Sequence, residues 1–246
     1  MEKRFFVNPQ DISGDNIILS GEEHNHLSRV LRLSVGQSVE CFCGDDNLYA
    51  CEITSISKQS TTLKVLDTAK CPANPTEQVT LFQALPKGEK LELIIQKTSE
   101  IGISEIVTFT SNFTIAKAND NKLPRLEKIA VSAAKQCGRT RLIALSPTIT
   151  FAQMLDRLKD YDVVVFANET EDNGGLQNLI KKGLKIALVV GSEGGFSQKE
   201  IDQIKGIGAK SISLGKRILR AETAAIALSA CVMYELGELG LWKSVV

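Results

Sequence analysis

Two short segments that resemble buried strands lie in the last third of the chain, and each is followed by a glycine-bearing loop and then by a helical pattern. They cover residues 186–190, which are a continuous apolar run, and 211–214, and three of the five residues after the first segment are glycine. A continuous apolar run of this length is typical of a strand covered on both faces. Ser197 with Glu200 three residues later has the pattern of a capping box, which predicts that a helix begins there. This succession constrains the segment to a parallel α/β sheet, whose loops at the carboxyl ends of the strands bind ligands.

The charge of the first loop restricts the class of ligand. Glu193 lies at its centre, and the next lysine is Lys199. The loop matches neither G-x-G-x-x-G nor the phosphate-binding pattern G-x-x-x-x-G-K-[ST]. A carboxylate disfavours a polyanion and favours a neutral or cationic ligand. Taken alone, an ordinary α/β loop that needs glycine only for its turn is an equally good interpretation.

The composition is that of an ordinary globular protein without a strong overall charge. Of 246 residues, 29 are Lys or Arg and 29 are Asp or Glu. This balance does not favour a general polyanion binder, although it leaves room for a local basic patch. The start of the chain lacks the apolar core of a signal peptide, and the longest uncharged apolar run, 223–234, is too short to span a bilayer. We therefore expect a cytoplasmic protein.

The cysteines do not form a recognisable metal or disulfide pattern. There are six, without a C-x-x-C pair. Cys41 and Cys43 alternate like strand residues, and with His24 and His26 nearby a zinc site is conceivable. Buried, reduced thiols are the favoured interpretation, because free cysteine behaves as a small apolar side chain. We expect no bound metal.

Two regions differ in hydrophobic period and predict two domains. Residues 1–72 alternate like strands, interrupted by one helix that Ser20 and Glu23 are predicted to cap. The strands of this small, barrel-like domain are predicted at 4–7, 16–19, 38–43, 49–57 and 61–66. Two prolines in four residues, Pro72 and Pro75, predict a linker, because proline blocks both a helix and a central strand.

Residues 73–246 alternate between strand and helix patterns, which predicts a mostly parallel sheet with helices on both faces. The strands are predicted at 79–85, 106–110, 162–167, 186–190 and 211–214. One helix is expected to end at Gly102, and another to begin after Thr150 with Gln153 as its capping partner. Two more helices are predicted at 124–137 and 222–236.

The last of these helices carries small side chains on nearly every face. Alanine is a good helix former, so propensity alone explains part of the composition. An apolar helix also needs to be covered, and small side chains let another backbone approach closely. Contact with a second chain is therefore an interpretation of equal weight.

Two charged groups are candidates for chemistry. Lys135, Arg139 and Arg141 lie near the end of the helix 124–137, where cations are electrostatically favoured. The alternative is a guanidinium placed for RNA phosphate or a base edge. Arg220 and Glu222 follow the second glycine loop, where Glu222 is also suited to stabilise the first turn of a helix.

With these residues in view, the chain resembles the RsmE family of small-subunit ribosomal RNA methyltransferases, of the SPOUT superfamily, over essentially its whole length. The resemblance rests on several blocks in the same order: RFFV at 4–7, HL at 26–27 with VLR at 30–32, QKTSEIG at 96–102, Gln136 with Arg139, GSEGGFS at 191–197 and LGKRILRAET at 214–223. It implies a PUA-like β-barrel for RNA at 1–72 and a SPOUT-type α/β methyltransferase domain with a C-terminal trefoil knot at 73–246. It also implies a homodimer through the knot domain.

The resemblance implies the reaction and the residues that carry it. The family transfers a methyl group from S-adenosylmethionine to N3 of a uridine in 16S ribosomal RNA. Arg220 and Glu222 are the catalytic candidates. The cofactor-binding candidates are Asn168, Val190, Gly191, Glu193, Gly195, Leu214, Ile218, Leu219 and Thr223. The RNA-binding candidates are Lys3, Arg4, Arg29, Arg32, Gln136 and Arg139.

Two positions depart from the family's pattern, and the charge of the first domain limits how RNA binds. Ser192 stands where the family usually has proline, and Lys135 stands where it usually has glutamate, so the role of an acidic side chain there cannot be carried over. Residues 1–72 hold seven Lys and Arg against ten Asp and Glu, a net charge of −3. Any RNA footprint must therefore be local. The substrate is expected to be ribosomal RNA or an assembled small ribosomal subunit.

Two other functions are compatible with parts of the pattern. One is an RNA-binding protein that keeps the fold without catalysis, which a cofactor titration distinguishes from an enzyme. The other is a nucleotide-dependent α/β enzyme such as a dehydrogenase. The missing G-x-G-x-x-G after the strand at 79–85 counts against the dehydrogenase.

Overall fold

The computed structural model describes residues 3–116, 120–168, 176 and 179–240, which form two compact units. The first unit runs to Asn74 and also includes Ala134–Leu142. The second contains Pro75–Ala133 and the chain from Ile143 onward. This division differs from the sequence assignment in two respects: the boundary falls after Asn74 and not after residue 72, and the segment 134–142 packs with the first unit.

The first unit is a six-stranded, mostly antiparallel sheet. Its strands are β1 (Arg4–Phe6), β2 (Ile12–Ser13), β3 (Asn16–Ser20), β4 (Ser38–Phe42), β5 (Asn47–Ile56) and β6 (Ser60–Lys70). Their order is β1-β4-β5-β6-β3-β2, and only the β1–β4 pair is parallel. In β3, Ile17 and Leu19 are buried while their neighbours are exposed, which is the alternation expected of a sheet with one covered face. The predicted β-rich domain is confirmed.

The helix predicted after Ser20 is short and differently capped. Helix α1 (Gly21–Asn25) continues directly into a π-helix at His26–Val30. The predicted capping box is wrong, because the Ser20 side chain accepts no capping hydrogen bond. The carboxylate of Glu23 instead accepts two hydrogen bonds of 2.8 Å from Lys135. A charge-assisted contact of this kind is stronger than a bond to a neutral backbone N–H.

The second unit is a six-stranded parallel sheet with helices on both faces. Its strands are β7 (Val79–Ala84), β8 (Glu105–Thr110), β9 (Ala144–Thr150), β10 (Val163–Ala167), β11 (Ile186–Val190) and β12 (Lys210–Ile212), in the order β12-β10-β11-β7-β8-β9. All five pairings are parallel. The helices are α2 (Lys90–Ile101), α3 (Leu123–Cys137), α4 (Phe151–Leu158), α5 (Gln198–Gly206) and α6 (Ala221–Glu235). The predicted α/β class is confirmed.

Two hydrophobic cores lie on the two faces of this sheet. Side chains of α2, α3 and α6 pack with one face of β7, β11 and β10. Side chains of α4 and α5 pack with the opposite face. All residues of β11 are buried, which explains its continuous apolar sequence. Among the described residues, no helix has the length and apolar character needed to cross a membrane.

The local signals at helix ends are largely confirmed. Gly102 follows α2 with φ +107°, and Gly138 follows α3 with φ +86°, a region that favours glycine. Thr150 and Gln153 form the predicted capping box. Strand β9 has no counterpart among the predicted strands. It is an edge strand with Pro147 at an irregularity of its pairing with β8, so it lacks the apolar run that marks the inner strands.

Candidate functional site

The chain segments that follow β10, β11 and β12 meet at one edge of the sheet, because these three strands are parallel neighbours. They enclose a cavity of about 560 Å³. Its walls are formed by Ala167–Asn168 at the end of β10, by 190–196 at the end of β11 and in the turn that follows, and by 214–215 and 217–221 after β12, with Lys90 at the start of α2. This is the position at which open parallel sheets bind ligands.

The glycines of the loop after β11 are required by close contacts. The N–H of Gly195 donates to the carbonyl of Ser192 over 2.9 Å, and Gly195 has φ +65°. A Cβ on Gly191 would lie 3.1 Å from the Cα of Gly195. A Cβ on Gly194 would lie 2.7 Å from the Cβ of Phe113, a distance that real side chains do not tolerate. The loop is therefore a tight turn in which Gly191 and Gly194 cannot be replaced by a residue with a side chain without moving its neighbours.

Buried polar groups fix this turn to the sheet. Gln83 Nε2 donates to the carbonyl of Gly191 over 3.1 Å. The carboxylate of Glu200, which is 6% exposed, accepts from the N–H of Ser197 over 2.9 Å and from the N–H of Asn112 over 2.7 Å. The Ser197–Glu200 contact is the glutamate half of the predicted capping box. It also joins the start of α5 to the loop after β8, so the turn is held from both sides.

Lys90 contacts two carboxylates, that of Glu193 in the cavity lining and that of Glu222 just outside the lining. Its Nζ lies 2.8 Å from Glu193 and 3.4 Å from Glu222. Glu193 also accepts from the backbone N–H of Lys87 over 3.1 Å. The sequence predicted that the carboxylate of Glu193 would favour a cationic ligand. In the structure this carboxylate is already paired with a lysine of the same chain, so its charge alone does not determine the class of ligand.

These contacts determine how Glu193 titrates. Partial burial would raise the pKa of Glu193, but the hydrogen bonds from Lys90 and from the N–H of Lys87 outweigh it and hold the pKa below its usual value. The hydrogen bond to Glu193 in turn raises the pKa of Lys90. Both groups are therefore charged at neutral pH.

The structure brings most of the predicted cofactor residues together. Those that line the cavity are Asn168, Val190, Gly191, Glu193, Gly195, Leu214, Ile218 and Leu219. Thr223 is outside this lining and lies exposed in the first turn of α6. Sequence reasoning missed Lys90, whose contact with Glu193 spans 103 residues of sequence, so no local spacing could have revealed it.

The two catalytic candidates lie at the start of α6. Arg220 is the N-cap residue of α6, is exposed, and lines the cavity. Glu222 is in the first turn and directs its carboxylate towards Lys90, with 14% of its side chain exposed. With this spacing, the guanidinium can stabilise negative charge on a substrate while the carboxylate accepts a proton from the same substrate.

The RNA-binding candidates all belong to the first unit, and two of them already have protein partners. Arg4 donates to Glu40 over 2.8 and 2.6 Å and to the carbonyl of Gly138. Arg139 is 1% exposed, and its burial lowers its pKa. Neither guanidinium is available to a phosphate in this structure. Lys3 is partly exposed, and Arg29, Arg32 and Gln136 are exposed.

The residues of the conceivable zinc site serve the core of the first unit. His24 is buried, with Nδ1 2.8 Å from Thr61 Oγ1. Cys41 is also buried. His26 lies beside the ring of Phe5, with ring centroids 5.9 Å apart. Among the residues described, no three His, Cys, Asp or Glu side chains are grouped to hold a metal ion.

A second, smaller cavity of about 310 Å³ lies beside the first, towards β8 and β9. It is lined by Leu85 and Lys87 after β7 and by Ser146 and Thr148 of β9, among others. We assign the chemistry to the larger cavity, because the tight glycine turn and the charged groups converge there.

Comparison with known proteins gives matches in both regions of the chain. A family model described as an RNA methyltransferase domain matches residues 72–233, and one described as an RNA methyltransferase PUA domain matches 19–66. The ribosomal RNA small subunit methyltransferase E of Bacillus subtilis is 31% identical over 229 residues, which cover 88% of this chain and 89% of that protein. The enzyme of the same name from Rickettsia conorii is 30% identical, covering 93% and 94%.

Solved structures agree with these matches. The Ribosomal RNA small subunit methyltransferase E from Neisseria gonorrhoeae, bound to S-adenosyl methionine, superposes with a TM-score of 0.83 at 26% identity, covering 96% of this chain and 98% of that one. A putative methyltransferase from Legionella pneumophila, in complex with the cofactor SAM, gives a TM-score of 0.86 at 26% identity with the same coverage.

The contacts of Glu193 predict how its carboxyl group titrates. Its pKa should lie below the ordinary value of 4.5, so the ion pair with Lys90 is intact above that value and is lost as the pH falls through the lowered pKa. Lys90→Met should move the pKa upwards. Lys87→Met is the matched control and should leave it unchanged, because Lys87 contacts Glu193 only through its backbone. Carbon-13 NMR of the side-chain carboxyl measures this, and a value at or above 4.5 in the unaltered protein would contradict it.

Proposed function

We propose, from the premise that the chain belongs to the RNA methyltransferase family, that it transfers a methyl group from S-adenosylmethionine to N3 of a uridine in 16S ribosomal RNA. The family model covers residues 72–233, and relatives at 30–31% identity carry the name ribosomal RNA small subunit methyltransferase E. The observation that carries the proposal is the cavity formed by the three segments after β10, β11 and β12.

The residues of this cavity fit S-adenosylmethionine. A volume of about 560 Å³ lies within the range of pockets for ligands of this size. Gly191, Gly194 and Gly195 line the wall without side chains of their own, so a ligand can approach the backbone there. Leu214, Ile218 and Leu219 supply apolar surface, and Arg217 supplies a cation for a carboxylate. When bound, the cofactor supplies a methyl group on a sulfonium.

The residues at the start of α6 handle the charge that the reaction generates. N3 of uracil carries a proton and lies on the pairing edge of the base, so the base has to be unpaired and the proton removed. Glu222 accepts the proton as the N3–methyl bond forms. Arg220 stabilises the negative charge that develops on the uracil oxygens. Lys90, which lines the cavity, holds the carboxylate of Glu222 beside it, 3.4 Å from its Nζ.

The RNA-binding role of the first unit is proposed for a smaller set of residues than the sequence predicted. Arg29 and Arg32 flank Val30, which is 69% exposed, at the end of the π-helix. Arg32 has φ +51°, which is uncommon for a residue with a side chain. π-helical turns occur often at functional sites. We assign RNA contacts to Lys3, Arg29, Arg32 and Gln136, and structural roles to Arg4 and Arg139.

A homodimer through α6 remains a proposal, as does a cytoplasmic location. Thr223, Cys231 and Tyr234 are exposed along one side of α6, with the small Ala227 between them. Tyr234 is 65% exposed, although it belongs to the last turn of a mainly apolar helix. A stripe of this kind is suited to close packing against a second copy of the chain.

The proposed reaction predicts a specific loss when Arg220 is replaced. Cells without this gene should lack the N3-methyl mark on a uridine of 16S ribosomal RNA, as measured by mass mapping.

Arg220→Ala should lower kcat by about 10²- to 10³-fold, because it removes one charge-stabilising group, while affinity for S-adenosylhomocysteine stays within about threefold. Lys216→Ala is the control, since Lys216 is exposed and outside the cavity lining. Unchanged turnover in Arg220→Ala would remove this residue from the mechanism.

The proposed RNA surface predicts a salt-dependent loss of binding. Reversing Arg29 and Arg32 to Glu should weaken binding to ribosomal RNA or the small subunit by at least about tenfold and reduce the salt slope by about 2. Lys58→Glu changes a charge in the β5–β6 turn of the same unit and should have a much smaller effect. Equal losses in both variants would show that only net charge matters.

The proposed dimer predicts that a charge on α6 dissociates it. Cys231→Glu should give a folded monomer in sedimentation velocity, because Cys231 is exposed in a single chain but would be buried between two. Lys199→Glu on α5 is the control and should leave the sedimentation coefficient unchanged. A wild-type protein that sediments as a monomer at all concentrations would contradict the proposal.

A further inference from the structure

Lys90 joins three segments of the cavity that are far apart in sequence. It is the first residue of α2, Glu193 lies in the turn after β11, and Glu222 lies in the first turn of α6. The three side chains are between 14% and 28% exposed, so they are partly shielded from water without being isolated from it. Lys90 also lines the cavity itself.

The ion pairs set the charge of this wall. Glu193 lines the cavity and Glu222 lies next to Ala221, which also lines it, so the two carboxylates place two negative charges in and beside this wall, and Lys90 offsets one of them. The methyl donor and its demethylated product differ by one unit of charge at the sulfur, because a sulfonium becomes a thioether when the methyl group leaves. The charge of the wall therefore changes the affinity for the donor and the affinity for the product by different amounts.

We propose that Lys90 is a positioning residue that sets the preference of the cavity between S-adenosylmethionine and S-adenosylhomocysteine. It holds Glu193 and Glu222 in place and offsets part of their negative charge. The affinity for the cationic donor is therefore lower, relative to that for the neutral-sulfur product, than it would be without Lys90. Tight binding of the donor in the ground state alone does not raise kcat. The inference rests on the proposed function, because it assumes that S-adenosylmethionine is the cofactor.

Lys87 offers a matched comparison on the same segment. Only its backbone N–H contacts Glu193, and its side chain lines the smaller cavity. Replacing Lys87 removes a positive charge from the vicinity of the site but leaves both ion pairs of Lys90. Lys90→Arg keeps the charge and the reach of the side chain.

The experiment is isothermal calorimetry of both molecules with the full-length protein and its variants. Lys90→Met should raise the ratio of the affinity for S-adenosylmethionine to that for S-adenosylhomocysteine by about twofold to tenfold, as expected for one unit charge lost a few ångströms from the ligand. Lys90→Arg and Lys87→Met should leave the ratio near that of the wild type. If Lys90→Met changes both affinities by the same factor, or if Lys87→Met shifts the ratio equally, the inference is wrong.

A second variant keeps the inference testable if Lys90→Met does not fold. Glu193→Gln removes a negative charge from the same wall and should lower the ratio, which is the opposite sign. A ratio that rises or stays constant in Glu193→Gln would overturn the inference. A wild-type protein that binds neither molecule would remove the proposed function and this inference together, whereas normal binding with an unchanged ratio in the variants would remove the inference alone.

Discussion

The parallel pairing of β11 with β10 on one side and β7 on the other is the constraint on which the rest of the second unit depends. All five residues of β11 are buried, and four of them are Ile, Leu or Val, whose burial contributes about 1.5–3 kcal/mol each. The strand is therefore fixed in register. Since its neighbours run in the same direction, these strands all end at the same edge of the sheet. The loops that follow them meet there and form the ligand cavity.

The turn after β11 converts this arrangement into a specific site. Gly191 and Gly194 allow approaches that a Cβ would prevent, and Gln83 and Glu200 tie the turn to the sheet and to the loop after β8. Lys90 adds an electrostatic connection to the first turn of α6. The groups assigned to catalysis are thus held by elements whose positions are set by hydrophobic packing, as precise chemistry requires.

Much of this architecture was predictable, for physical reasons that differ between elements. The strand at 186–190 is a continuous apolar run, and the strand at 79–85 is apolar except for Thr80 and Gln83, because both lie inside the sheet. Gly102 marks the end of α2 because glycine adopts the positive φ of that position without strain. Strand β9 lies at the edge and contains Pro147, so it has neither signal. The contact of Lys90 with Glu193 and the burial of Arg139 depend on tertiary packing, which no local pattern encodes. The trefoil knot was implied by the family resemblance alone and stays a prediction.

The central claim is that Asn168 at the end of β10 and the loops after β11 and β12 together hold the methyl donor. The most direct measurement is an NMR titration of the assigned backbone amides with S-adenosylhomocysteine. We expect the largest chemical-shift changes at Asn168, at 191–196 and at 214–221. Changes centred instead on the smaller cavity, at 85–88 and 146–148, or the absence of any change at saturating ligand, would contradict the claim.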